Sequence, residues 1–172
     1  MINSRNASDN RNWHVIYTRP NFERKVASEL VAKGIEFFMP SRDEVRQWHD
    51  RKKKMNVLVF PGYIFVRVNV REVYMIYAIN GFVNFVSNEG HPDVISDELM
   101  SAIQTLLEGE FSIKTGALIS GDKIKIGHGA FQGLEGILLE DRGESKVAVR
   151  VEVINQFIVV VLPAFSLEKV AV

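Results

Sequence analysis

The stretch that most constrains this chain runs Phe60-Pro61-Gly62-Tyr63-Ile64-Phe65-Val66-Arg67-Val68. Pro61 has no N–H to give to a ladder and Gly62 tolerates positive φ, so the pair marks a turn that delivers an incoming segment into a strand. Beyond the turn, Tyr63, Phe65 and Arg67 alternate with Ile64, Val66 and Val68. Both sets are largely apolar, which places the strand in the middle of a sheet covered on both faces. Phe60 sits just outside that strand, where either a core or a partner could bury it.

The segments before this strand have contrasting patterns. Trp13 to Thr18 is aromatic and β-branched and reads as a first strand. Arg19-Pro20-Asn21 breaks it and opens a helix, with Asn21 as the expected cap and Gly34 as the stop. Phe22, Val26, Leu30 and Val31 recur at helical spacing and form the packed stripe, while Glu23, Arg24, Lys25 and Glu29 take the solvated side. Ile35 to Pro40 is a second short strand. Arg42 to Phe60 reads as a long β-hairpin, with arms Val45 to His49 and Met55 to Phe60 and the cations Arg51, Lys52, Lys53 and Lys54 at its tip. Four adjacent cations repel one another in a core, so their place is solvent or a polyanion.

After the central strand, Val73, Ile76, Tyr77 and Ile79 mark one side of a helix over 70–79, stopped by Gly81. Val83 to Val86 is another strand. Ser96 caps a third helix with Asp97 and Glu98 in its first turn, and Leu99, Ile103, Leu106 and Leu107 form its buried stripe. Helical spacing then disappears. Residues 109–119 read as a linker, and from residue 120 to 172 the pattern is all β: Ile124 and Ile126 alternate with lysines, Ile137 to Leu139 follows a Gly-rich turn, and Val147, Val149, Val151 and Val153 alternate at period two. Phe157 to Leu162 and Phe165 to Val170 complete about five strands. The expected fold is α+β: an N-terminal α/β sandwich with a mainly antiparallel sheet over residues 13–108, then a small all-β SH3-like barrel, with residues 1–12 as a disordered tail.

Composition narrows the function. The chain has 172 residues, no cysteine and 47 % hydrophobic content. That is enough for a packed core without disulfides or thiolate metal sites. His14, His49, His91 and His128 form no i, i+4 pair, so no metal and no cofactor are expected. No nucleophile, base and orienting acid stand out, so no enzyme is expected. The polar first residues and the lack of a long apolar run predict neither a secretory leader nor a membrane span, hence a cytoplasmic protein; a monomer is expected. Formal charge is zero, yet residues 1–60 hold 12 Lys/Arg against 7 Asp/Glu. The basic character is local and marks one electropositive surface.

With these pieces placed, the chain resembles the NusG family of transcription elongation and antitermination factors from Trp13 to Val170. Two motifs carry the resemblance. One is the set Trp13 with Tyr17, Arg19-Pro20-Asn21-Phe22-Glu23, Phe60-Pro61-Gly62-Tyr63 and Gly81 to Val86, similar to the family's amino-terminal (NGN) domain. The other is the KOW-type pattern Gly121-Asp122-x-Ile124 followed by Gly129-x-Phe131-x-Gly133-x-Glu135-Gly136. The hairpin Arg46-Gln47-Trp48-His49-Asp50-Arg51-Lys52-Lys53 further resembles the specialised branch typified by UpxY antiterminators, although Gly62 stands where that branch is expected to carry Ser.

The resemblance implies no catalysis. It implies that the amino domain binds RNA polymerase at the clamp helices, with Tyr17, Phe60, Pro61 and Tyr63 as contacts, and acts as an operon-specific antiterminator. It implies that Arg46, Trp48, Arg51, Lys52, Lys53 and Lys54 approach DNA near the transcription bubble. By residue type alone, Tyr17 and Phe60 read as core and the basic run reads equally as a solvated turn. Phe131 and Gly133 are the expected contact of the KOW domain with a termination factor or a ribosomal protein, with a plug closing the barrel as the other reading of Phe131. A KOW-containing RNA-binding or ribosome-associated protein is the alternative function. It fits less well, since residues 120–172 carry 6 Lys/Arg against 7 Asp/Glu, too few net cations for phosphate binding to dominate.

Overall fold

The computed structural model describes residues 10–47, 52–88, 90–108, 111–115, 121, 123–127, 134–141, 144–154, 156–161 and 167–169. In chain order the elements are β1 (Asn12–Thr18), α1 (Glu23–Ala32), β2 (Glu36–Phe38), β3 (Ser41–Gln47), β4 (Lys52–Leu58), β5 (Tyr63–Val68), α2 (Val70–Tyr77), β6 (Phe82–Phe85), β7 (Ser87–Asn88), β8 (His91–Pro92) and α3 (Asp97–Glu108). There follow β9 (Phe111–Thr115), β10 (Lys123–Ile126), β11 (Glu135–Asp141), β12 (Glu144–Val151), a 3-10 turn at Glu152–Ile154, β13 (Gln156–Val161) and β14 (Leu167–Lys169). Among the described residues no helix is long and apolar enough to cross a membrane, and no group of three or more His, Cys, Asp or Glu could hold a metal ion.

The chain divides into two compact units, up to Asp97 and from Glu98. In the first, an antiparallel sheet has the order β2-β5-β1-β6, so β5 is internal as its sequence predicts. Ile16, Ile64, Val66, Val68 and Phe85 bury one face together with Val26 and Leu30 of α1 and Ile76 of α2. Val26 and Leu30 are four apart, and partly buried Val73 lies three before Ile76, which gives each helix one stripe to lay on the sheet. On the opposite face Trp13, Val15 and Phe65 are buried, and the Arg67 guanidinium lies 6.0 Å from the Trp13 ring centroid. Burial pushes the pKa of His14 down, opposed by its Nδ1 contact of 2.9 Å with the Asp93 carbonyl, since desolvation disfavours the imidazolium.

Local signals account for most element ends, with corrections. Asn21 does not cap α1: it sits at φ 64 in the turn before the helix, and Phe22 is the N-cap residue without a side-chain cap. Asn tolerates that left-handed geometry, and Phe22 N–H closes the turn onto the Arg19 carbonyl at 3.0 Å. Helix α2 has a cap that the sequence reading missed, since the Asn69 side chain accepts from the Arg71 and Glu72 amides while Glu72 reaches back to the Asn69 amide. The buried residues of α3 are Met100, Ala102, Ile103 and Leu106; the expected Leu99 and Leu107 are only partly buried.

In the second unit six strands form one antiparallel sheet of order β14-β10-β11-β12-β13-β9. Ala148 and Val159 are buried against Ile137 and Leu139, and the alternating valines Val147, Val149 and Val151 are buried too, with Ile158 of β13, so β12 and β13 bury residues of both parities. Residues 111–115, within the expected linker, are strand rather than linker. Phe111 to Thr115 pairs with β13 from Phe111↔Val160 to Thr115↔Gln156. The ladder satisfies backbone groups that an open edge would leave unpaired, and this overrides the weak periodicity of that stretch.

Candidate functional site

The end of the sheet that carries Tyr17 and Tyr63 is built from the turn upward. Pro61 and Gly62 occupy the second and third positions of a type II turn. Tyr63 N–H donates to the Phe60 carbonyl at 3.1 Å and Gly62 holds φ 85, a geometry that asks for Pro followed by Gly. Gly62 is then fixed through both of its polar groups. Its N–H donates to Glu23 Oε1 at 2.9 Å. Its carbonyl accepts from the Thr18 amide at 2.8 Å and the Thr18 hydroxyl at 3.3 Å. Thr18 and Glu23 are buried, so these bonds form away from competing water.

Tyr17 and Tyr63 are direct partners in the β1–β5 ladder, and their rings meet at 5.3 Å with a 54° tilt. Tyr17 is 36 % exposed. Its ring also covers Gly62: a Cβ there would stand 2.9 Å from Tyr17 Cε2, closer than side chains approach. Pro61 is exposed and Tyr63 half-buried. Phe60 is different. It is 1 % exposed and packs edge-on to Phe65 at 5.8 Å, so its expected role as a presented contact is corrected to a buried support. The turn directs its side chain inward, where its apolar area is better placed than in water. Three of the four expected contacts thus share one surface around the turn, and the fourth is buried.

Glu23 was expected on the solvated side of α1, yet it is buried against the turn. Gly62 lies 39 residues further along the chain, so helical periodicity alone cannot reveal the pairing. The signal available was an acid in the first helical turn facing a Pro-Gly turn whose buried N–H needs an acceptor.

The hairpin exists as expected, with register from Ser41↔Leu58 to Gln47↔Lys52. The cations, however, are not all at its tip. Lys52, Lys53 and Lys54 belong to strand β4, facing Gln47, Arg46 and Val45 in the ladder. Lys54 Nζ is 2.9 Å from Asp43 Oδ2, and the hydrogen bond from Lys54, helped by one from Asn56, holds the Asp43 carboxyl below its usual range. Asn56 Nδ2 donates to Asp43 Oδ1 at 3.2 Å. Arg24 of α1 donates to the Asn56 carbonyl and to its Oδ1 at 3.1 and 2.8 Å. A chain of polar contacts therefore runs from α1 across the hairpin, and Lys54 is engaged within it. Trp48, Arg51, Phe131 and Gly133 lie outside the described residues, as do residues 1–9, most of the predicted tail.

A further exposed apolar set, Val70, Tyr74 and Tyr77, falls on α2 at the spacing of one helical face. Sequence reasoning placed Tyr77 in the core, and the structure leaves it largely exposed against Phe82 and Phe85.

Comparison with known proteins bears on this arrangement. Residues 11–104 match the family model described as "Transcription termination factor nusG". The chain is 25 % identical to the transcription termination/antitermination protein NusG of Lactococcus lactis, over 95 % of each chain. It is 25 % identical to that of Bacillus subtilis, over 92 % of this chain and 98 % of the relative. A solved structure describing domain interaction in Thermotoga maritima NusG superposes with a TM-score of 0.55 and 25 % identity, covering 94 % of this chain and 98 % of that one.

Proposed function

This chain belongs to the NusG family of transcription termination/antitermination proteins, and from that premise we propose that it binds the clamp helices of RNA polymerase and modulates elongation as an operon-specific antiterminator. The observation that carries the docking part is the Tyr17–Tyr63 pair, partly exposed beside Pro61 on a turn whose backbone is held from two sides. Aromatic side chains held rigidly lose little conformational freedom on binding, and this is what interface anchors require. The basic hairpin, with Trp48 offering a stacking surface, supports a contact with DNA near the bubble through Arg46, Arg51, Lys52 and Lys53. Its likeness to the specialised branch supports the operon-specific role. The KOW-type domain, residues 120–172, acts as a tethered recruiter of a termination factor or a ribosomal protein through Phe131 and Gly133.

The test is direct. Tyr17→Ala should lower affinity for purified polymerase about 30-fold to 700-fold, the effect of truncating a desolvated interface aromatic worth about 2 to 4 kcal/mol, while circular dichroism stays as in the wild type. Unchanged affinity would remove this surface from the function. A pause and termination assay on templates from several operons separates the roles: equal effect on all templates overturns the operon-specific reading.

A further inference from the structure

We propose that Glu23, itself buried and out of reach of any partner, is the positioning residue of the docking surface: its carboxylate sets the plane of the Pro61–Gly62 peptide and so aims Tyr17, Pro61 and Tyr63. The inference rests on the reading of that surface as the polymerase contact. Its basis is the geometry of one glycine. Gly62 N–H belongs to the peptide that joins it to Pro61, and its acceptor is Glu23 Oε1 at 2.9 Å. Its carbonyl, on the following peptide to Tyr63, is held by the amide and hydroxyl of Thr18. A glycine at φ 85 has no side chain to hold it there, and it populates several backbone basins with little preference. The two peptides flanking it are therefore oriented from outside, one by β1 and the other by Glu23.

The orientation matters because Tyr17 lies on the Gly62 α-carbon and pairs with Tyr63, the next residue after the turn. Rotation of the Pro61–Gly62 peptide moves the ground under one ring and the attachment of the other. Glu23 is 7 % exposed and is the first residue of α1. The helix carries the acceptor to the turn as part of a rigid element, and the unpaired amides of the first helical turn favour a carboxylate there. A surface glutamate on the solvated side would do none of this.

The experiment compares Glu23→Ala with Glu23→Gln in the full chain. Gln keeps an acceptor oxygen at the same reach and removes the charge; Ala removes the acceptor. Two readouts are taken, hydrogen exchange of the Gly62 amide in the free protein and affinity for purified polymerase, with Tyr17→Ala as reference. Loss of the acceptor should speed Gly62 exchange and weaken binding, each by about tenfold, the scale of one hydrogen bond to a charged group. Glu23→Gln should return both most of the way to wild type. Fast Gly62 exchange with wild-type affinity overturns the proposal while the polymerase reading stands, provided Tyr17→Ala still weakens binding. A Gln variant as defective as Ala also overturns it, since an acceptor is then not what the turn needs. If neither wild type nor Tyr17→Ala binds, the functional reading falls, and the exchange data then report the turn alone. Should Glu23→Ala fail to fold, Glu23→Asp, one methylene shorter, provides the same comparison.

Discussion

The turn at residues 60–63 and the hairpin of β3 and β4 lie side by side in sequence and are held by different means. The turn is fixed by hydrogen bonds to buried Thr18 and Glu23 and by Phe60 beneath it. The hairpin is tied to α1 by Arg24 and internally by Lys54–Asp43, all exposed. Buried bonds in a low-dielectric setting are costly to break, whereas exposed ion pairs contribute about 0 to 1 kcal/mol. One region is thus held by bonds that are costly to break, and the side-chain ties of the other cost little to exchange for a partner's. A surface for a fixed protein feature belongs on the first; an electrostatic contact with a backbone of phosphates tolerates the second.

The largest effect that could break this contrast is at Phe60. Phe60→Ala should destabilise the protein by about 3 to 5 kcal/mol in chemical denaturation, the range for a buried Phe. An unchanged midpoint with polymerase binding lost would make Phe60 a presented anchor and the turn an adaptable element. For the hairpin the reading is salt. With Lys54 engaged by Asp43, contacts from Arg51, Lys52 and Lys53 to three phosphates predict a slope of about −2.7 in log affinity against log salt on a duplex scaffold, or ~40-fold between 50 and 200 mM. Serine at all three should flatten the slope and leave denaturation unchanged; a slope that stays the same takes the hairpin off the DNA.

A smaller effect is expected at Gly62. Alanine there meets Tyr17 Cε2 at 2.9 Å and must hold φ 85, so a loss of about 1 to 2 kcal/mol is expected from the left-handed backbone alone. Making the same change in a Tyr17→Ala background relieves the contact but not the backbone strain, and the cycle measures how tightly ring and turn are coupled. Full additivity would mean that the ring does not depend on the turn. Arg24→Ala should cost less than about 1 kcal/mol, while shifting amide resonances of the hairpin; a cost as large as that of Gly62→Ala would erase the contrast.

The smallest effect is in acid. The Asp43 carboxyl has its pKa lowered in the folded state by Lys54 and Asn56, so its contribution is present above the unfolded value of 3.8 and is lost as pH falls through the folded one. Chemical shifts around Asp43 and Asn56 should therefore follow a titration below 3.8, and Lys54→Ala should move its midpoint up. A midpoint that does not move would mean that Lys54 contributes nothing to holding the hairpin.

These contrasts also explain what could be seen in the sequence. The central strand, the hairpin and the β-rich second half were legible because period-two alternation and β-branched or aromatic runs are local properties of the chain: β5 and β12 carry the first over six and eight residues, and β13 carries the second. The Pro-Gly turn was legible for the same reason. The side on which Glu23 would lie was not, because it is decided by a bare glycine amide 39 residues further along; Phe60 reads as core by residue type, and it was the family resemblance that made it a presented contact. Strand β9 escaped because five residues of weak pattern become a strand only when β13 is there to pair with them. The polar side of α1 was read as uniform solvent contact, although Arg24 from that side reaches the hairpin.

The chain has two tryptophans, one in the sheet from which the turn projects and one in the hairpin sequence. Trp13 is buried beneath the Arg67 guanidinium, and Trp48 belongs to the hairpin sequence. Replacing Trp48 by Phe leaves a single indole, so the intrinsic fluorescence of that variant follows the sheet core alone. Replacing Trp13 instead would leave an emission that reports on the basic arm, and a polyanion added to it should change that colour or intensity with no label attached.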